Sequence, residues 1–154
     1  MANLAMQVLP TSPADGPRLV KAFAARDAEQ NVASAELLAR ADPGSAHNQW
    51  YLGRSYVEIG RPADAIAPLE QALRLDPQSA TAHDYLARAL FGVHRVDEAL
   101  EHARRAVALA PNDEVMRIDL GKLLVENGRL GEGAQAFQQA LAINPEYSQA
   151  YQGL

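Results

Sequence analysis

The chain has 154 residues, of which 14 are basic and 19 acidic, for a formal net charge of -5. This length suits one domain or one short array that buries roughly two thirds of its unfolded surface. The acidic balance argues against a general nucleic-acid or anionic-membrane binder, which needs a basic face. The absence of cysteine excludes disulfide frameworks, thiolate zinc sites and cysteine nucleophiles.

Apolar residues are scattered, and no run approaches the ~18 needed to span a membrane. Residues Met1–Leu9 carry no Lys or Arg and only a short apolar stretch, so they lack the pattern of a secretory signal, and cytoplasm is the expected location. Residues 10–17 (Pro-Thr-Ser-Pro-Ala-Asp-Gly-Pro) read as a linker, which makes 1–18 a tail. Leu19–Ala25 and Ala28–Ala41 then read as the two segments of a degenerate leading unit, 19–45, ending at Asp42-Pro43-Gly44.

Beyond that point the chain repeats. Pro43, Pro77, Pro111 and Pro145 are each 34 residues apart, and the last three follow similar strings: Ala-Leu-Arg-Leu-Asp, Ala-Val-Ala-Leu-Ala and Ala-Leu-Ala-Ile-Asn. Three units align, 46–79, 80–113 and 114–147. They match at the seventh place (Leu52, Leu86, Leu120), the eighth (Gly53, Ala87, Gly121), the eleventh (Tyr56, Leu90, Leu124) and the twenty-seventh (Ala72, Ala106, Ala140).

The first of these units, with Trp50-Tyr51-Leu52-Gly53-Arg54-Ser55-Tyr56 followed by Gly60, Ala65, Leu69, Ala72 and Pro77, resembles the tetratricopeptide repeat. The resemblance covers 46–147 and extends weakly over 19–45. It implies an all-α fold, a right-handed superhelical solenoid of antiparallel helix pairs. The residue physics points the same way. Each unit holds two segments with helical apolar spacing, split by a turn at Gly60, His94 or Gly128, and closed by a proline that stops the second helix. Small residues at the eighth and twentieth places (Gly53/Ala65, Ala87/Ala99, Gly121/Gly133) allow close approach of the paired helices. A single unit cannot bury its apolar face alone, so neighbours must stack.

Three local departures stand out. His94 sits where the other turns have glycine and is expected to be strained; Pro68 should kink or open the second helix of its unit; Gly133 should weaken its helix by up to ~1 kcal/mol. Ser148–Leu154 restarts the motif and stops, which suggests a chain cut from a longer protein or an end covered by another molecule.

No catalytic constellation emerges. His47, His83, His94 and His102 form no metal-spaced pair, although His47 and His83 fall 36 apart near the starts of successive first helices and could meet in a groove. No phosphate-loop, dinucleotide or nucleophile-elbow string occurs, so neither an enzyme activity, a cofactor nor a metal is expected within these residues.

The resemblance implies that the first helix of each pair lines a concave groove, with places 2, 5, 9, 12 and 13 facing it. Place 9 holds Arg54, Arg88 and Lys122; place 12 holds Val57, Phe91 and Val125; place 5 holds Trp50, Asp84 and Ile118. This is one cation per repeat beside an apolar row. With packed helices ~8–10 Å apart, an extended peptide could present an acidic group to each cation at every third residue, and a partner helix could do so at about every seventh. The carboxylate clamp of family members that hold chaperone tails is absent: its places read Trp50, Arg54, Tyr85, Val115 and Asp119, or Gly16, Val20, Tyr51, Thr81 and Tyr85 one unit earlier.

Three readings remain open. The leading one is a scaffold whose groove binds a protein or peptide carrying acidic and apolar residues. The second is a self-associating module, with Tyr147, Tyr151 and Leu154 at the seam of a homo-oligomer. The third is the recognition domain of a larger enzyme whose catalysis lies elsewhere. Nucleic acid is disfavoured, because Trp50, Tyr51, Tyr56 and Phe91 do not alternate with basic residues.

Overall fold

The computed structural model describes residues 15–146, with side chains described from Asp27 onward. Tyr147, Tyr151 and Leu154 lie outside the described residues. Among the described residues seven helices follow in chain order: α1 (Asp15–Ala41), α2 (Ala46–Glu58), α3 (Pro62–Leu75), α4 (Ala80–Gly92), α5 (Val96–Leu109), α6 (Glu114–Glu126) and α7 (Leu130–Ile143). The starts of α2, α4 and α6 are 34 residues apart, as are those of α3, α5 and α7. Each helix packs on its neighbour in sequence, and α2 also touches α4 as α4 touches α6. The first helices of the pairs thus form a continuous inner row, backed by α3, α5 and α7. The result is an all-α solenoid.

The leading segment differs from expectation. A single 27-residue helix spans 15–41, without the turn expected between Ala25 and Ala28. Nothing in Arg26-Asp27 breaks a helix, as both residues keep their N–H and carry no positive-φ requirement. Pro17, assigned to the linker, falls in the first turn of α1, where its missing N–H has no intrahelical partner to lose.

The repeat is written in the helix ends. Ser45, Ser79 and Asp113 cap α2, α4 and α6 by accepting the N–H of Asn48, Ala82 and Met116 at 3.2, 3.3 and 3.0 Å. Arg61, Arg95 and Arg129 precede α3, α5 and α7 without capping through their side chains, and instead pair with Asp64, Glu98 and Glu132 in the first turn. Between the helices of each pair the chain passes through the left-handed region, at Gly60 (φ 74°), His94 (φ 63°) and Gly128 (φ 76°). The next N–H closes each turn on the carbonyl five residues back: Arg61 to Tyr56, Arg95 to Leu90 and Arg129 to Leu124. His94 is exposed and alone carries a Cβ in this conformation among the described residues. His94→Gly is therefore expected to raise the unfolding free energy by about 0.5–1 kcal/mol, read as a higher urea midpoint with an unchanged slope.

A second recurring contact joins successive units. The fourth residue of each unit reaches back to the proline carbonyl six residues earlier: Gln49 Nε2 to Pro43 at 3.4 Å, His83 Nε2 to Pro77 at 3.3 Å and Arg117 Nη2 to Pro111 at 2.7 Å. A carbonyl only accepts, so in all three the side chain is the donor.

Inside each pair, sizes compensate. A Cβ on Gly53 would fall 2.3 Å from Leu69 Cγ, and one on Gly121 would fall 2.7 Å from Phe137 Cε1. In the middle pair the same two places hold Ala87 and Ala103, both buried in one cluster. Gly133 has its own reason: a Cβ there would stand 2.5 Å from Val125 Cγ2 and 3.1 Å from the Gly121 carbonyl. The expected helix-propensity cost is thus offset by a close approach that alanine would block. Pro68 lies within α3, which runs through it unbroken.

Candidate partner-binding groove

Place 9 projects from the inner helices, and its cations are held rather than loose. Arg54 Nε donates to Glu58 Oε1 at 2.7 Å, one turn along α2, and this bond raises its pKa further. Its guanidinium lies 5.6 Å from the Trp50 ring centroid and 6.0 Å from that of Tyr85 on α4. Arg88 stacks on the same Tyr85 at 4.7 Å. Trp50 and Tyr85 meet edge to face at 6.0 Å. A strip of alternating rings and guanidinium groups therefore crosses from α2 to α4, joined by cation–π contacts. On α6, Lys122 Nζ is 3.4 Å from Asp119 Oδ1.

The other expected groove residues divide. Val57, Phe91 and Val125 are half-buried and pack on the core clusters, so the apolar row is partly the seam between helices. Ile118 is 1% exposed and packs with Phe137 and Ala140, within the core. Asp84 is 6% exposed, beneath the surface strip. Burial pushes its carboxyl up to about 7; Asp119 and Asp113 add to the rise, while Arg88 and Lys122 oppose it. Tyr85, at place 6, was not among the expected groove residues, yet it is the ring both arginines share. Its signal lay in the helical offset, because Tyr85 precedes Arg88 by three residues and so shares its face.

A cleft of about 490 Å³ adjoins the strip, lined by Ala46, His47, Trp50, Ala72, Asp76, Ser79 and Thr81. Trp50 Nε1 is buried and has no hydrogen-bond acceptor among the described residues. The His47 ring stands 5.5 Å from Trp50. His83 does not meet His47 in the groove. It turns to His102 on α5, with the two Nδ1 atoms 2.9 Å apart. Linear spacing missed this pair because its members, 19 residues apart, come together only through the helix hairpin.

Among the described residues no three His, Asp or Glu side chains are arranged to hold a metal ion, and no helix is long and apolar enough to cross a membrane.

Two family profiles, both described as tetratricopeptide repeat, match residues 52–114 and 90–154. No curated protein matches the sequence at a significant level. Among solved structures, one of the protein MamA superposes with a TM-score of 0.74 at 26% identity, over 94% of this chain and 82% of that one. MamA from Desulfovibrio magneticus gives 0.71 at 22% identity, over 88% and 77%. A thermophilic TPR protein from Thermus thermophilus gives 0.71 at 21%, over 78% and 67%. The last two share the fold. The chain belongs to the tetratricopeptide-repeat family, whose members are typically non-catalytic, and is a protein-interaction module of the scaffold type.

Proposed function

We propose that the inner row of helices binds an extended segment of a partner protein carrying acidic and apolar residues, and that these residues act without catalysis. The observation that carries this reading is the strip Trp50–Arg54–Tyr85–Arg88. Arg54 spends its Nε–H on Glu58, and guanidinium groups held beside aromatic rings lose little freedom on binding a carboxylate through their remaining N–H groups. Lys122 extends the same row by one repeat. Val57, Phe91 and Val125 offer half-buried apolar ledges beside it, while Asp84 and Ile118 are buried and offer the ligand no surface.

An array of immobilised extended peptides with an acidic residue at every third position and apolar residues between tests this. Wild type is expected to bind such peptides more strongly than scrambled or basic ones, and more weakly as salt rises. Arg54→Glu/Arg88→Glu/Lys122→Glu should lose at least about tenfold in affinity while keeping its helical circular dichroism. Equal capture by both proteins would remove the groove from the reading.

A further inference from the structure

On the flank of the second repeat, about 100° around α4 from the Asp84 row, the His83 and His102 rings lie 5.1 Å apart with their Nδ1 atoms 2.9 Å apart. The bond to the Pro77 carbonyl decides the tautomer of His83. Because a carbonyl cannot donate, the proton of His83 sits on Nε2, and its Nδ1 presents a bare lone pair toward His102. Gln49 and Arg117, in the same place of their own units, are obligate donors to the equivalent carbonyls. This is the arrangement found behind metal-ligating histidines, where one ring N–H is anchored on a backbone carbonyl and the other nitrogen is aimed at the ion.

We propose that His83 and His102 form a two-histidine site for a divalent transition-metal ion of the zinc type, with the remaining coordination positions filled by water. This goes beyond the groove reading and does not depend on it. Two imidazole nitrogens on a tetrahedral zinc ion stand about 3.3 Å apart, so the rings need to separate by only a few tenths of an ångström from 2.9 Å. In the metal-free pair the proton between the rings belongs to His102 Nδ1. On binding it moves to His102 Nε2 through solvent, so both lone pairs face the ion and the rings stay neutral.

Charges of both signs surround the pair: Glu101, Arg104 and Arg105 line the same cleft of about 460 Å³, and Glu70, Glu98 and Glu101 act on His102 against Arg95. Of the nearby cations, Arg95 is paired with Glu98 and Arg104 with Glu132, while Arg105 bears on His83.

The other repeats supply the test variants. Gln49 and Pro43 show that glutamine at the His83 place keeps the carbonyl bond, and Ala136 occupies the His102 place in the third unit. Titrating zinc chloride into the tag-free full chain at pH 7.5, followed calorimetrically, is expected to show one equivalent bound with Kd in the micromolar range. His83→Gln and His102→Ala should each weaken it at least about tenfold. His47→Ala/His94→Ala should leave it unchanged. Zinc should also raise the wild-type Tm by several degrees and not that of His102→Ala. Should a variant fail to fold, imidazole nitrogen resonances of wild type decide. Zinc should shift the Nδ1 signals of both rings and leave Nε2 protonated. No saturable binding, unchanged binding in both variants, or shifts confined to His47 and His94 would overturn the site.

Discussion

Replacing Phe137 by alanine is expected to lower the unfolding free energy by about 3–5 kcal/mol, read from urea denaturation followed by circular dichroism. The ring is 2% exposed and lies in the space that Gly121 leaves open, so its loss opens a cavity between α6 and α7 that the rigid helix pair cannot close. Gly121→Ala should cost about 1–3 kcal/mol for the opposite reason, because the new methyl meets the ring edge. The double variant distinguishes this account from simple loss of apolar area. With the ring gone, the methyl introduced by Gly121→Ala has room and fills part of the void, so Gly121→Ala/Phe137→Ala should be more stable than Phe137→Ala alone. Additive costs would contradict the contact.

Asp84→Asn is expected to stabilise the protein increasingly as pH rises. The Asp84 carboxyl ionises near 7 in the folded chain, against an ordinary 3.8. Between those values the folded state holds a proton that the unfolded state has released. The stability due to Asp84 is therefore fully present below pH ~4 and lost as pH climbs through 7. Asparagine stays neutral throughout, so the advantage of the variant should grow from pH 4 to 7 and level off above it, reaching on the order of 3–4 kcal/mol. Asp119 and Asp113, which raise the value, and Arg88 and Lys122, which lower it, act on the Asp84 charge that asparagine lacks, so their interaction with it is part of the difference. The histidine pair acts with the opposite sign. With pKa values lowered by burial, His83 and His102 make both proteins less stable as pH falls below 6.5, so only the difference between the two denaturation profiles isolates Asp84. A pH-independent difference would mean that Asp84 is ionised in the folded state at all these pH values.

Much of the fold was legible in the sequence because its punctuation is local. Prolines stop helices and glycines admit positive φ whatever surrounds them, so Pro77, Pro111, Gly60 and Gly128 announced the helix pairs directly. The leading helix was illegible for the complementary reason. No residue near Arg26 forbids or requires a turn, so family analogy supplied a break that the chain itself does not encode. The site was less legible still. Exposure at place 5 depends on what the next unit lays over it, which is why Trp50 borders a cleft while Ile118, in the same place, is core. The arginine ladder was visible as spacing, but its stacking on Tyr85 joins residues from different units. The pairing of His83 with His102 likewise depends on how two helices of one hairpin face each other.

The matched sizes inside the helix pairs also bear on how such an array can grow. Both members of each match, Gly53 with Leu69 and Gly121 with Phe137, lie within one unit, on α2 and α3 or on α6 and α7. A duplication or deletion of a whole unit carries both members together and leaves every match intact. An unequal crossover between the two helices does not. It would join the glycine of one ancestor to the alanine partner of another and leave a void, or set a phenyl ring against Ala87. Inheritance by whole units is thus favoured by the interior of the protein, while the outward-facing places remain free to diverge from one unit to the next.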